Sequence, residues 1–229
     1  MTDKTLFITG ASSGIGAATA RAAVAAGWNV GLFARSEGKV ADLAAELGDR
    51  ALTLPGDATS HDDQARAVSE LVDRFGGLDA AFANAGVGID RPGTEAGDPA
   101  EWDALVDINV KGILYTAHAT LPHLRPRKGD FLVMGSVAGR MHVRGSIYSA
   151  SKWFVHGFAG NLAEEMNPWG GNCTIIAPGQ VDTPFFDAGA PGKLRAEDVA
   201  GAVMYALSTP RHMSVREVYM VPTEGSRGH

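Results

Sequence analysis

Apolar runs of strand length recur along the chain around Leu6 and at residues 30–33, 51–54, 78–83, 131–134, 174–177 and 218–221. Between them, apolar residues return every three to four positions at 15–26, 40–47, 64–75, 102–124, 148–166 and 196–207, the period of a helix with one buried face. Strands that read as continuous apolar runs are buried on both faces, and their alternation with amphipathic helices predicts a parallel sheet covered on each side. The expected architecture is therefore α/β and doubly wound, with a seven-stranded sheet. Its ligand should sit beyond the carboxyl ends of the strands, near the point where strand order reverses.

Composition narrows this picture. With 229 residues, 45% hydrophobic and 20% charged, the chain can bury one large core, so residues 1–229 are read as a single domain. No apolar run approaches the roughly 20 residues needed to span a bilayer. The opening M-T-D-K leads straight into a strand rather than a signal-peptide core, so no membrane partner is expected and the cytoplasm is the default location. A formal charge of −6 argues against nucleic acid, and the densest basic cluster, Arg125, Arg127 and Lys128, lies in a turn. Cys173 is the only cysteine, so no internal disulfide forms. Neither a cysteine cluster nor an H-E-x-x-H motif is present among the seven histidines, and no metal is expected.

Candidate chemistry concentrates at Y-S-A-S-K, where Tyr148 and Lys152 stand four residues apart on one helical face. A tyrosine of ordinary pKa, about 10, is a poor base at neutral pH, and a neighbouring ammonium favours its phenolate. Taken alone this spacing is common. It is preceded by T-G-A-S-S-G-I-G at 9–16 directly after the first strand, by N-A-G at 84–86 closing the fourth, and by Ser136 twelve positions before Tyr148.

With these motifs and P-G-Q-V-D-T at 178–183, the sequence resembles the short-chain dehydrogenase/reductase family in its single-domain form, over about residues 4–222. The resemblance implies a doubly wound Rossmann fold and a nicotinamide cofactor. Gly10, Ser12, Ser13, Gly14, Ile15 and Gly16 would form the pyrophosphate turn, where missing side chains let backbone approach an anion at a helix N-terminus. About 20 residues on, where an acid would hold the ribose hydroxyls of NAD, the chain carries Arg35 instead. A guanidinium suits a 2′-phosphate, so NADP (NADPH) is expected over NAD. Asp57 is similar to the family's adenine-contacting aspartate. Asn84, Ala85 and Gly86 would line the cofactor, with Pro178, Gly179, Val181 and Thr183 at its nicotinamide end.

The catalytic set implied is Asn109, Ser136, Tyr148 and Lys152. Tyr148 would pass a proton to or from the substrate oxygen, Lys152 would lower its pKa and bind the nicotinamide ribose, and Ser136 would donate to that oxygen. Asn109 would support a water relay to Lys152. The gap from Ser136 to Tyr148 is one residue shorter than the commonest family spacing, which leaves the loop geometry open. His142 and His156 are read as a loop and a packing histidine. Arg140 or Arg144, if turned inward, would suit a short hydroxy acid or semialdehyde; an exposed arginine is the simpler expectation. Phe185 and Phe186 could wall the substrate site. The expected function is an NADP(H)-dependent oxidoreductase interconverting an alcohol and a ketone or aldehyde. The alternatives are a catalytically silent NADP(H)-sensing protein and redox-neutral chemistry on the same scaffold. A homo-oligomer, tetramer or dimer, is expected through helices 102–124 and 148–166, the latter carrying Trp153, Phe154 and Phe158.

Overall fold

The computed structural model describes residues 3–89, 93–183 and 192–223. Seven strands, β1 (Thr5–Thr9), β2 (Asn29–Ala34), β3 (Ala51–Pro55), β4 (Ala80–Ala83), β5 (Asp130–Met134), β6 (Asn172–Pro178) and β9 (Glu217–Met220), form one sheet in the order β3-β2-β1-β4-β5-β6-β9. All its pairings are parallel, with Ile8 of β1 opposite Leu32 on one side and Phe82 on the other. The order reverses between β1 and β4, where the doubly wound topology opens a crevice. A separate two-residue pair, β7 (Val181–Asp182) with β8 (Leu194–Arg195), follows the carboxyl end of β6 and was not foreseen from the sequence.

Each face of the sheet buries its own apolar layer. Phe7, Phe33, Leu71 and Phe131 lie on one side, and Leu6, Ile8, Leu32 and Phe82 on the other. The four phenylalanine rings are fully enclosed, and truncating one to alanine would cost about 3–5 kcal/mol. The helices that cover the layers are α1 (Gly14–Ala25), α2 (Glu37–Leu47), α3 (His61–Phe75), α4 (Pro99–Val106), α5 (Ile113–Leu124), α6 (Ile147–Met166) and α7 (Ala196–Ser208). None of the described helices is long and apolar enough to cross a membrane. Cys173 is buried in β6, where desolvation pushes its thiol up to about 12.

Three helices begin earlier than their apolar period indicates. The first three residues of α2, α3 and α4 are not buried, and capping fixes two of the starts: Ser60 accepts from Asp63 N at 3.2 Å and Asp98 from Ala100 N at 2.9 Å. The expected helix 102–124 is broken. Residues Asp107–Gly112 form a π-helical turn between α4 and α5. Such a turn displaces a carbonyl from the regular ladder, and here Gly112 O accepts from Gln64 Nε2 at 3.0 Å and from Thr116 Oγ1 at 2.9 Å. Gln64, wholly buried, also donates to Ala58 O at 2.8 Å and accepts from Thr116 at 2.7 Å. The Ala58 carbonyl and the polar Gln64 thus form one network that ties the segment after β3 to the distorted turn.

Candidate active site

A cleft of about 630 Å³ opens along the carboxyl ends of the strands at the switch point. Its amino-terminal wall is the turn between β1 and α1, contributing Gly10, Ser12, Ser13, Gly14 and Ile15. Gly10 has φ +67°, a conformation side chains disfavour. Gly16 lies behind this wall rather than in it: a Cβ there would collide with the carbonyl oxygen of Gly10 and with Asn84. Ser13 precedes α1 in an extended conformation and makes no side-chain capping bond, unlike Ser60 and Asp98 on their helices. The first turn of α1 therefore faces the cleft with backbone donors, the arrangement that binds an anion.

Asn84 holds this wall to the sheet. Its Nδ2 donates to Thr9 O at 2.9 Å and Gly10 O at 3.3 Å, and the backbone N–H groups of Asn84 and Ala85 donate to Thr9 Oγ1 at 3.0 and 3.1 Å. Ala85 and Gly86 also face the cleft. Thr9, absent from the sequence-derived site, is the latch; a threonine at the end of β1 gave no separate signal. Arg35 and Asp57 stand at the far end of the cleft. Asp57 Oδ1 accepts from both the backbone and hydroxyl of Thr59 at 2.9 Å, so this carboxylate shapes its own turn.

On the opposite wall, Ser136 ends the segment after β5, while Tyr148 and Lys152 project from α6, which Ser146 caps through Ser149 N at 3.0 Å. Burial raises the pKa of Tyr148 above the ordinary value, and the neighbouring Ser136 hydroxyl opposes the rise. Lys152 is 4% exposed, donates from Nζ to Met134 O at 2.8 Å, and lies 5.6 Å from the Tyr148 ring centre. Desolvation lowers its pKa to about 8. The short loop from Ser136 to Tyr148 is closed by Ser149 Oγ, which donates to Ala138 O at 2.8 Å and Met141 O at 3.1 Å. Pro178, Gly179, Val181 and Thr183 line the same end.

Asn109 sits in the π-helical turn, buried and outside the cleft lining. Its side chain is committed: Oδ1 accepts from Val87 N at 2.9 Å, and Nδ2 donates to Val87 O at 2.9 Å and Ser151 Oγ at 3.3 Å. The amide braces the loop after β4 against α6 instead of pointing at Lys152. Arg140 does not turn inward; it pairs with Glu217 on β9, and Arg144 is exposed. His142 stacks on Trp153 with ring centres 5.4 Å apart, a loop histidine as expected. Phe185 and Phe186 lie outside the described residues.

Comparison with known proteins agrees with this arrangement. Residues 4–192 match the family described as short chain dehydrogenase. An uncharacterized oxidoreductase of Staphylococcus saprophyticus is 36% identical over 229 residues, spanning 96% of this chain and 97% of the relative. Among solved structures, the alcohol dehydrogenase from the archaeon Thermococcus sibiricus, complexed with 5-hydroxy-NADP, superposes with a TM-score of 0.88 at 28% identity, covering 95% of each chain. The serine dehydrogenase from Escherichia coli gives 0.86 at 26% identity, covering 94% of this chain and 96% of that one. A glycine turn latched to the sheet, a Ser-Tyr pair over a buried lysine and these matches together identify the chain as a member of the short-chain dehydrogenase family of oxidoreductases.

Proposed function

We propose that residues 1–229 form a single catalytic domain that interconverts an alcohol and a ketone or aldehyde with NADP(H). The observation carrying this reading is that Ser136, Tyr148 and the buried Lys152 line one cleft with the glycine turn. The cleft residues fit the cofactor: backbone donors at the start of α1 suit the pyrophosphate, and the close approach of Gly16 to Gly10 leaves no side chain in the way. Arg35 would hold the 2′-phosphate in a forked pair, and Asp57 would border the adenine. When bound, the cofactor supplies or accepts the hydride.

The chain's own groups manage the proton. In reduction Tyr148 gives its phenolic proton to the developing alkoxide, and in oxidation the phenolate takes it back. Ser136 donates to the same oxygen as charge develops there. Lys152, charged below about pH 8, stabilises the phenolate against the burial that raises Tyr148. Asn109 contributes by holding Val87 and Ser151 in place.

Likeness to the Escherichia coli serine dehydrogenase supports a short hydroxy acid or its carbonyl product as substrate. Arg140 is taken by Glu217, which leaves Arg144 as the loop cation for a carboxylate. Exposed Val106, Leu114 and Trp153 on α4, α5 and α6 support a homo-oligomer, for which we favour a tetramer; a monomeric mass in light scattering at micromolar concentration would overturn that. The deciding experiment is the initial rate of NADPH oxidation, with NADH in parallel, over aldehydes, ketones, keto acids and semialdehydes. Faster turnover with NADPH is expected. Binding of NADPH without turnover would favour a sensing protein.

A further inference from the structure

His156 lies on α6 one turn beyond Lys152 and is 8% exposed, yet neither ring nitrogen has a partner within hydrogen-bonding distance. Burying such groups unpaired is costly, and an apolar side chain would fill the space without that cost. The ring's surroundings supply a reason for it. A Cβ on Gly135 would come within 3.0 Å of His156 Nε2, and one on Gly139 within 2.6 Å of Cδ2 and 2.8 Å of Nε2. The backbone on both sides of Ser136 therefore rests directly on the imidazole.

The far edge of the ring meets a second anchor. His156 Nδ1 is 3.7 Å from Glu217 Oε1 on the edge strand β9. Glu217 also accepts from Arg140, the last residue of the helical turn Val137–Arg140 that follows Ser136, through Nε at 3.4 Å and through Nη2. One carboxylate thus faces the ring beneath the turn and the guanidinium that ends it. Burial lowers the pKa of His156; Glu217 and the Ser136 backbone oppose the shift and Arg140 and Lys152 add to it, so the neutral ring is favoured beside Lys152.

We propose that His156 is a positioning residue that sets the height of Ser136 against Tyr148, with Glu217 and Arg140 clamping the serine turn to β9. The proposal rests on the reading of Ser136 as donor to the substrate oxygen. Ser136 Oγ already accepts from Ala138 N at 3.1 Å, so its direction follows the turn that the ring supports. Loss of the ring would let the turn sink toward the vacated space, lengthening the reach to a substrate oxygen without touching the cofactor wall.

The test is a double-mutant cycle of His156→Leu and Ser136→Ala, assayed with the best carbonyl substrate from the rate panel, with NADPH affinity read by fluorescence titration. His156→Leu should lower kcat by about tenfold in the wild-type background and leave KM and NADPH affinity within about twofold. In the Ser136→Ala background it should lower kcat no further. Equal losses in both backgrounds would mean a general structural role and overturn the proposal. The variants Arg140→Ala and Glu217→Gln should each lower kcat by about threefold, again only while Ser136 is present. Wild-type rates for both would overturn the clamp. If Ser136→Ala turned over as fast as wild type, the role given to Ser136 would fail, and this inference with it. Ser136-dependent turnover that His156→Leu leaves intact would overturn the inference alone.

Discussion

Along the amino-terminal wall of the cleft, the surface is mostly backbone. Gly10 and Gly14 keep side chains away, and Asn84 and Thr9 lock the turn to the sheet through uncharged hydrogen bonds. Across the cleft the wall is built from titratable side chains: half-buried Tyr148 raised by desolvation, buried Lys152 lowered by it, and buried His156 lowered behind them. One wall works by geometry that pH does not alter, the other by protonation states that burial has moved. Side-chain deletion should therefore silence the second wall and leave the first intact, whereas adding a side chain should damage the first.

The largest expected effect tests that separation directly. Tyr148→Phe removes only the phenolic oxygen, so kcat should fall by about 10²–10⁴-fold while NADPH still binds, as seen by fluorescence titration. Retained turnover would remove Tyr148 from proton transfer. Next in size is Arg35→Asp, which sets a carboxylate where a 2′-phosphate would lie. The ratio of kcat/KM for NADPH over NADH should drop by about ten- to a hundredfold, with little change in kcat at saturation. An unchanged ratio would make Arg35 an ordinary surface residue.

Gly16→Ala breaks the first wall by addition. The new methyl would meet the Gly10 carbonyl and the Asn84 amide, so the latch must shift. Overpacking of this kind costs about 1–3 kcal/mol, and NADPH affinity should weaken by roughly tenfold, while the pKa values that govern kcat stay where they were. A moved pH profile in this variant would show that the walls are not independent.

The two walls also differ in how far the sequence displayed them. The glycine turn, N-A-G and Y-x-x-x-K are contiguous strings, and short backbone motifs carry their geometry with them. Strand positions were legible because fully buried parallel strands are apolar throughout. Asn109 lay inside an unbroken apolar period from 102 to 124, and nothing local announced the π-helical turn. Its stabiliser, Gln64, comes from α3, 48 residues before the Gly112 carbonyl it satisfies. Arg140 is exposed, as the simpler expectation had it, but its partner Glu217, 77 positions away on the edge strand, had no local signal. The early starts of α2, α3 and α4 escaped the apolar period because exposed first turns contribute nothing to it. Long-range pairing of polar groups is what a one-dimensional pattern does not encode.

The smallest effect separates the walls by pH. Lys152, with an ordinary value of 10.5, titrates at about 8 in the folded protein, so raising pH through 8 removes its charge and half of the charged form is gone at that point. The kcat/KM for NADPH, which reports the unliganded enzyme, should fall by about twofold from neutrality to pH 8 and continue downward. Stability should move the other way. Between pH 8 and 10 the unfolded chain still binds the proton that folded Lys152 has released, so the folding free energy improves with pH there, by about 1 kcal/mol per unit at most. Lys152→Met removes the titrating group, and subtracting its urea-unfolding profile from that of the wild type isolates the lysine. Parallel stability profiles would mean that Lys152 is solvated in solution, and the catalytic wall would then lack the buried charge that distinguishes it from the glycine wall.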